Sequence, residues 1–242
     1  MKKPLTKIAF LLCACNPLAV AQEPVKKTQV YLFAGQSNMD GCADAGKLSK
    51  DDQQRLKAVQ DRIKFHYNWK PVTLLKATDA SEYVKKTFSL EQSFGPELFF
   101  GIALAEANPD QHFLFIKRSQ GNTSLYGCWN PDWTIEKATL MKEEKQPKLY
   151  HDFIKYTDHV LSKQEPDSYE LKAMLWVQGE ADSSYGKISV LAAQAYGKNL
   201  KNLVHSLRTH LKQPNLPFLL LEVGSEVVVK GMKSTAKEDA NV

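Results

Sequence analysis

Residues Gln29 to Gly41 read QVYLFAGQSNMDG. Val30, Leu32 and Ala34 alternate with Tyr31 and Phe33 until Gly35 cuts the run off, which predicts a β-strand delivering Gln36, Ser37 and Asn38 onto a turn. Open α/β sheets keep their chemistry in the crevice outside the carboxyl ends of their strands, so Ser37 is the candidate nucleophile. A polar turn closing a buried strand is the alternative.

Outward from this stretch, four further strands are expected at 62–69, 112–118, 171–177 and 217–223, with helical stretches between them. RIKFHYNW puts Ile63, Phe65, Tyr67 and Trp69 on one face and polar residues on the other, which predicts a half-buried strand near an edge. HFLFIKR, LKAMLWV and LPFLLLEV are more continuously apolar, as central parallel strands covered on both faces would be. Helices are expected from Pro96 to Asn108, Lys148 to Lys163 and Ser189 to Leu211, the last two with apolar residues at helical spacing. The segment from Lys70 to Ser93 has no clear periodicity and is long for a connection, so it is expected to form a flap near the site.

The first 21 residues, MKKPLTKIAFLLCACNPLAVA, combine a basic start, a short apolar run and a small-x-small end, the pattern of a secretory signal peptide cleaved after Ala21. Lipid attachment at Cys15 ranks second. The apolar run is too short to span a bilayer, and no later stretch supplies a transmembrane segment. Lys2, Lys3 and Lys7 belong to this leader, and without them the 32 basic and 27 acidic residues become 29 and 27. Composition therefore makes no case for nucleic acid as a partner. No His/Cys spacing predicts a metal site and no glycine-rich phosphate loop predicts a nucleotide cofactor. Cys42 and Cys128 remain after cleavage, each just beyond a loop assigned to the site. In an oxidising compartment a disulfide between them is as expected as two free thiols.

Two more loops fall at the same end of the sheet as Ser37: Ser119-Gln120-Gly121-Asn122-Thr123-Ser124 after the third strand, and Gln178-Gly179-Glu180-Ala181-Asp182 after the fourth. Together the three loops offer what ester cleavage needs. They hold a hydroxyl nucleophile, glycines whose N–H groups can approach a substrate oxygen, and side-chain amides.

GQSNM after the first strand, FGPE opening a helix, a glycine loop before Thr-Ser-Leu, and WVQGEAD after a central strand resemble the sialate O-acetylesterase branch of the SGNH hydrolases, which includes acetylxylan-type carbohydrate esterases. The match runs from about Thr28 to Gly224 within a domain placed at 28–242. The resemblance implies a three-layer α/β/α fold with a mainly parallel, flavodoxin-like sheet of five strands. It also implies removal of O-acetyl groups from a carbohydrate through an acetyl-enzyme on Ser37, without cofactor or metal. Ser37 and Gly121 would supply backbone oxyanion donors and Gln178 a side-chain amide, and Glu180 would orient the loop. Gln36, Asn38 and Asn122 are expected to support these loops or touch substrate. Trp129, with Tyr126 and Trp133, is expected either to form a sugar-stacking rim or to pack in the core.

Two departures stand out. Asn122 occupies a position where the family usually has a second glycine. The Asp-x-x-His motif that supplies the rest of the family's triad is absent from residues 1–242, and none of the six histidines is placed near Ser37 by its sequence context. The expectation is an esterase frame incomplete at its C-terminus, with a carbohydrate-binding or inactive esterase-fold protein as the alternative.

Overall fold

The computed structural model describes residues 26–183 and 186–242. In chain order the elements are β1 (Thr28–Gly35), α1 (Ser37–Asp40), β2 (Ala43–Asp44), α2 (Lys50–Val59), β3 (Ile63–Tyr67), β4 (Thr73–Leu74), β5 (Thr78–Asp79), α3 (Glu82–Phe88), β6 (Gln92–Phe94), α4 (Glu97–Ala107), β7 (Phe113–Ser119), α5 (Ile135–Leu140), α6 (Leu149–Leu161), β8 (Tyr169–Val177), α7 (Gly186–Leu211), β9 (Phe218–Leu220) and α8 (Glu226–Glu238). The main sheet runs β4-β3-β7-β1-β8-β9, and a small second sheet runs β2-β6-β5. Every pairing in the main sheet is parallel except that of β3 with β4.

The alternation in β1 divides the core. Val30, Leu32 and Ala34 face the layer containing Phe153 of α6, Leu200 of α7 and Val228 of α8. Phe33 faces the other layer, with Leu98 and Ile102 of α4. Helices cover both faces, which makes the fold three-layered and α/β, with five parallel strands as expected and β4 added at one edge. β1 lies between β7 and β8, with Gly35 in register with both Ser119 and Val177. That register brings the ends of three neighbouring strands together. Gly35 itself is required there: its φ is +152°, and a Cβ on it would lie 2.0 Å from the Val177 carbonyl oxygen.

Three expectations change. Strand β3 ends at Tyr67 because Asn68 and Trp69 turn into the left-handed region, with φ of 47° and 60°. The segment 70–93 is not a bare flap but builds β4, β5, α3 and β6. The 217–223 strand is not central: β9 is three residues long at the sheet edge, with Leu219 and Leu221 48% and 53% exposed. Beyond it lies α8, unanticipated from sequence, packed so closely on α7 that a Cβ on Gly231 would lie 2.8 Å from the Gly197 nitrogen. The expected signal segment 1–21, its cleavage point and Cys15 lie outside the described residues. Among the described residues no helix is long and apolar enough to cross a membrane.

Candidate active site

Ser37 opens α1 immediately after β1 and is half-buried. As the first residue of the helix its N–H has no acceptor one turn back. Its hydroxyl lies 3.5 Å from Gln36 Nε2. The Gln36 side chain is buried, and its Oε1 accepts from the Ala181 N–H at 3.1 Å and from Gln178 Nε2 at 3.2 Å. Asn38 Nδ2 donates to Glu180 Oε1. Both neighbours of Ser37 therefore tie the first loop to the third.

The middle loop is pinned by two buried carboxylates. Glu143 accepts from the Ser124 N–H at 2.7 Å, the Ser124 hydroxyl at 3.0 Å and the Cys128 N–H at 2.9 Å. Asp182 accepts from the N–H groups of Leu125 and Tyr126 at 2.8 and 2.9 Å. Burial raises the carboxyl pKa of both, that of Asp182 up to about 7. Neither role was assigned from sequence. Asp182 lies within the quoted QGEAD stretch, whereas Glu143 sits in a charged segment that carries no signal of burial.

Gly121 reaches Ser37. A Cβ on Gly121 would stand 3.7 Å from Ser37 Cβ, so the middle loop lies against the serine side chain. The Gly121 N–H donates to Asp40 Oδ2 at 3.2 Å. Asp40, also unassigned from sequence, accepts at Oδ1 from the Ser119 hydroxyl at 2.6 Å and the Tyr67 phenol at 3.2 Å. Burial, with the nearby Asp40 charge, pushes the Tyr67 phenol well up and keeps it a donor. Beneath α1, Lys117 Nζ donates to the Asp40 carbonyl oxygen at 3.0 Å and pairs with Glu97 at 2.7 Å, the two side chains only 1% and 2% exposed. Asn122 holds a left-handed φ of 55°, a conformation asparagine tolerates better than most residues, so its side chain stays at the exposed tip of the loop.

The structure corrects one sequence expectation and decides two that the sequence left open. The Gln178 amide is fully buried, and its Nε2 faces Thr123 O at 3.0 Å and Asp182 Oδ2 at 2.6 Å as well as Gln36. It braces all three loops from beneath and is not directed at an oxyanion. Trp129 is a core residue, not a rim contact. It is fully buried, stacks edge-on against Trp176 at 5.2 Å, and its indole N–H donates to Thr123 Oγ1 at 3.0 Å. Cys42 and Cys128 are free thiols: Cys128 is buried in the core against the α6 layer, while the Cys42 thiol contacts the Ser37 carbonyl oxygen at 3.5 Å. None of the six histidines forms a hydrogen bond with Ser37; His210 pairs with Asp158, and His159 lies beside Trp69.

The fold and the convergence of three strand-end loops on a serine define an SGNH-like hydrolase frame. A sequence model of the carbohydrate esterase, sialic acid-specific acetylesterase family matches residues 27–242, and the chain belongs to that family. It is 27% identical over 208 residues to a probable carbohydrate esterase of Arabidopsis thaliana, covering 84% of this chain and 72% of that protein. Among solved structures, it resembles an Arabidopsis thaliana protein with a TM-score of 0.60 at 20% identity, over 86% of this chain and 82% of that one. A carbohydrate acetylesterase from Xanthomonas citri aligns with a TM-score of 0.57 at 14% identity, covering 87% and 48%. NanS aligns at 0.56 and 14% identity, covering 89% and 73%. These structural likenesses speak to the fold.

Proposed function

We propose that this chain is a serine carbohydrate O-acetylesterase. The observation that carries the reading is the convergence of Gln36–Asn38, Gly121 and Glu180 around one half-buried hydroxyl at the ends of β1, β7 and β8. Ser37 Oγ attacks the acetyl carbonyl, the C–O bond to the sugar breaks, and the serine proton ends on the released sugar hydroxyl. Water then cleaves the acetyl-serine to acetate. The Ser37 N–H is the donor best placed to receive the developing oxyanion, and a single donor of this kind is worth roughly 100- to 1000-fold in rate. Membership of the acetylesterase family supports an acetylated carbohydrate as substrate. The pattern of residues 1–21 supports secretion.

A second reading, a carbohydrate-binding protein on an esterase frame, is favoured by two observations. No histidine is bonded to Ser37, and the Gly121 N–H already holds Asp40. Intact mass after exposure to a fluorophosphonate, compared between the natural chain and Ser37→Ala, separates the two. One adduct lost in the variant supports the esterase; no adduct on the folded natural chain supports the binding protein.

A further inference from the structure

Trp69 sits where the backbone does not favour a tryptophan. Its φ of 60° makes it the one aromatic residue among the described residues with a positive φ, a conformation that a bulky side chain adopts only when its surroundings impose it. The surroundings do impose it. The Asn68 side chain grips Ser119 from both sides: its Nδ2 donates to Ser119 O and its Oδ1 accepts from the Ser119 N–H, each at 3.0 Å. The indole N–H of Trp69 donates to Asp152 Oδ1 at 3.1 Å, and Arg118 holds the other oxygen of that carboxylate.

This clamping does not bury the ring. The indole centroid lies 4.6 Å from Tyr156 and 5.4 Å from His159, so one flank packs on α6, yet 42% of the residue stays exposed. Trp129 and Trp176 are fully buried, and Trp133 is partly buried under Lys148 Nζ, 4.0 Å above its ring. Strain and immobilisation spent on keeping an aromatic face in solvent indicate that the face is used.

Its position says for what. Trp69 follows the carboxyl end of β3, and Asn68 is locked to Ser119, the residue in register with Gly35. β3 and β1 are separated by β7, so the strands that lead to Trp69 and to Ser37 run about 10 Å apart. The carboxylate that holds the indole also holds Arg118, whose guanidinium donates to Gln120 Oε1 at 3.4 Å, and Gln120 Nε2 donates to the exposed Gln146 Oε1, so a bonded row of polar side chains leads from the indole to the middle loop. A rigid aromatic face with a bonded row of polar side chains leading from it suits the apolar C–H face and hydroxyl rim of a pyranose ring.

We infer that Trp69 is the stacking platform of a sugar subsite one unit removed from the ring whose acetyl group faces Ser37. This rests on the reading that the Ser37 centre acts on acetylated carbohydrate, and it adds that the substrate is an oligosaccharide. The experiment uses the full chain, Trp69→Ala and Trp69→Tyr, with xylotetraose and 3′-sialyllactose, each with and without O-acetyl groups. The unacetylated sugars are titrated by tryptophan fluorescence in the natural chain and by calorimetry in the natural chain and both variants. The preferred sugar shifts the emission of the natural chain, binds about tenfold more weakly to Trp69→Ala, and binds Trp69→Tyr nearly as well. With the acetylated form, Trp69→Ala raises KM by the same factor, leaves kcat within twofold, and leaves hydrolysis of p-nitrophenyl acetate unchanged. Unfolding midpoints establish that the variants are folded. Equal binding by folded Trp69→Ala, or no shift in the natural chain with either sugar, overturns the subsite. Binding through Trp69 without acetate release overturns the esterase reading and leaves the subsite standing.

Discussion

Asp40 Oδ2 accepts the Gly121 N–H at 3.2 Å, so a carboxylate on the same turn as Ser37 occupies the backbone donor that the proposed esterase would use as its second oxyanion contact. In the proposed reaction a developing oxyanion would compete with that carboxylate for the donor and be repelled by its charge. Asp40→Asn keeps the shape and weakens the charge-assisted bond. The expected result is fluorophosphonate labelling of Ser37 faster by roughly tenfold, below the 100- to 1000-fold worth of a whole donor. A slower reaction would assign Asp40 the opposite task, that of holding Gly121 in place for catalysis.

Glu97 and Lys117 form an ion pair almost wholly removed from water. Deleting one partner leaves an uncompensated buried charge, so Glu97→Gln should destabilise the chain by about 3–5 kcal/mol. Glu97→Gln combined with Lys117→Met should recover most of that loss. Urea unfolding of the two variants measures both. Because Lys117 also donates to the Asp40 carbonyl, the single variant should in addition lower Ser37 labelling under conditions where it remains folded.

Asp182 gives stability a pH dependence of definite sign. Its folded carboxyl is raised to about 7, against an ordinary value of about 3.9, so between these limits the folded chain binds more protons than the unfolded one. The Asp182 contribution therefore falls as pH rises from about 4 to about 7 and is flat above. Glu143, raised by burial as well, adds in the same direction. Asp182→Asn should be less stable overall, since an amide cannot accept from Leu125 and Tyr126 at both positions, yet it should lose this slope. Unfolding free energies at pH 5, 6, 7 and 8 for both proteins check the difference.

The thiols make a simple test. Burial raises both, and Cys128 is the less accessible. Without reductant, iodoacetamide should add slowly to Cys42 in the folded chain and to both Cys42 and Cys128 after denaturation, read on the peptides that carry them. A denatured chain in which neither Cys42 nor Cys128 takes up label would contain the disulfide that this structure lacks.

Much of the frame was legible because it depends on periodicity. β1 and β7 carry unbroken apolar runs, and α4, α6 and α7 end within a few residues of their capping and breaking signals. What escaped depends on contacts distant in sequence. Two- and three-residue strands such as β2, β5 and β6 are too short for any period to show. LPFLLLEV reads as a central strand, but composition cannot reveal that Leu219 stays 48% exposed at the sheet edge. In the site, the position of Ser37 followed from Gly35 and the strand before it. The direction of the Gln178 amide, the burial of Glu143 and the exchange of Trp129 for Trp69 as the exposed indole did not, because each is set by a neighbour from another loop.

The central place of β1 also governs how the molecule assembles. Asp40 meets Ser119 across 79 residues of chain, and Gln36 meets Gln178 across 142. Loops of this length must close before their contacts give any return, so the surroundings of Ser37 arise late and slowly in folding, after the local helices have formed. During refolding, helical circular dichroism will recover ahead of the labelling of Ser37. Ser37 is thus a reporter of completed folding, since no locally ordered intermediate brings the three loops around it together.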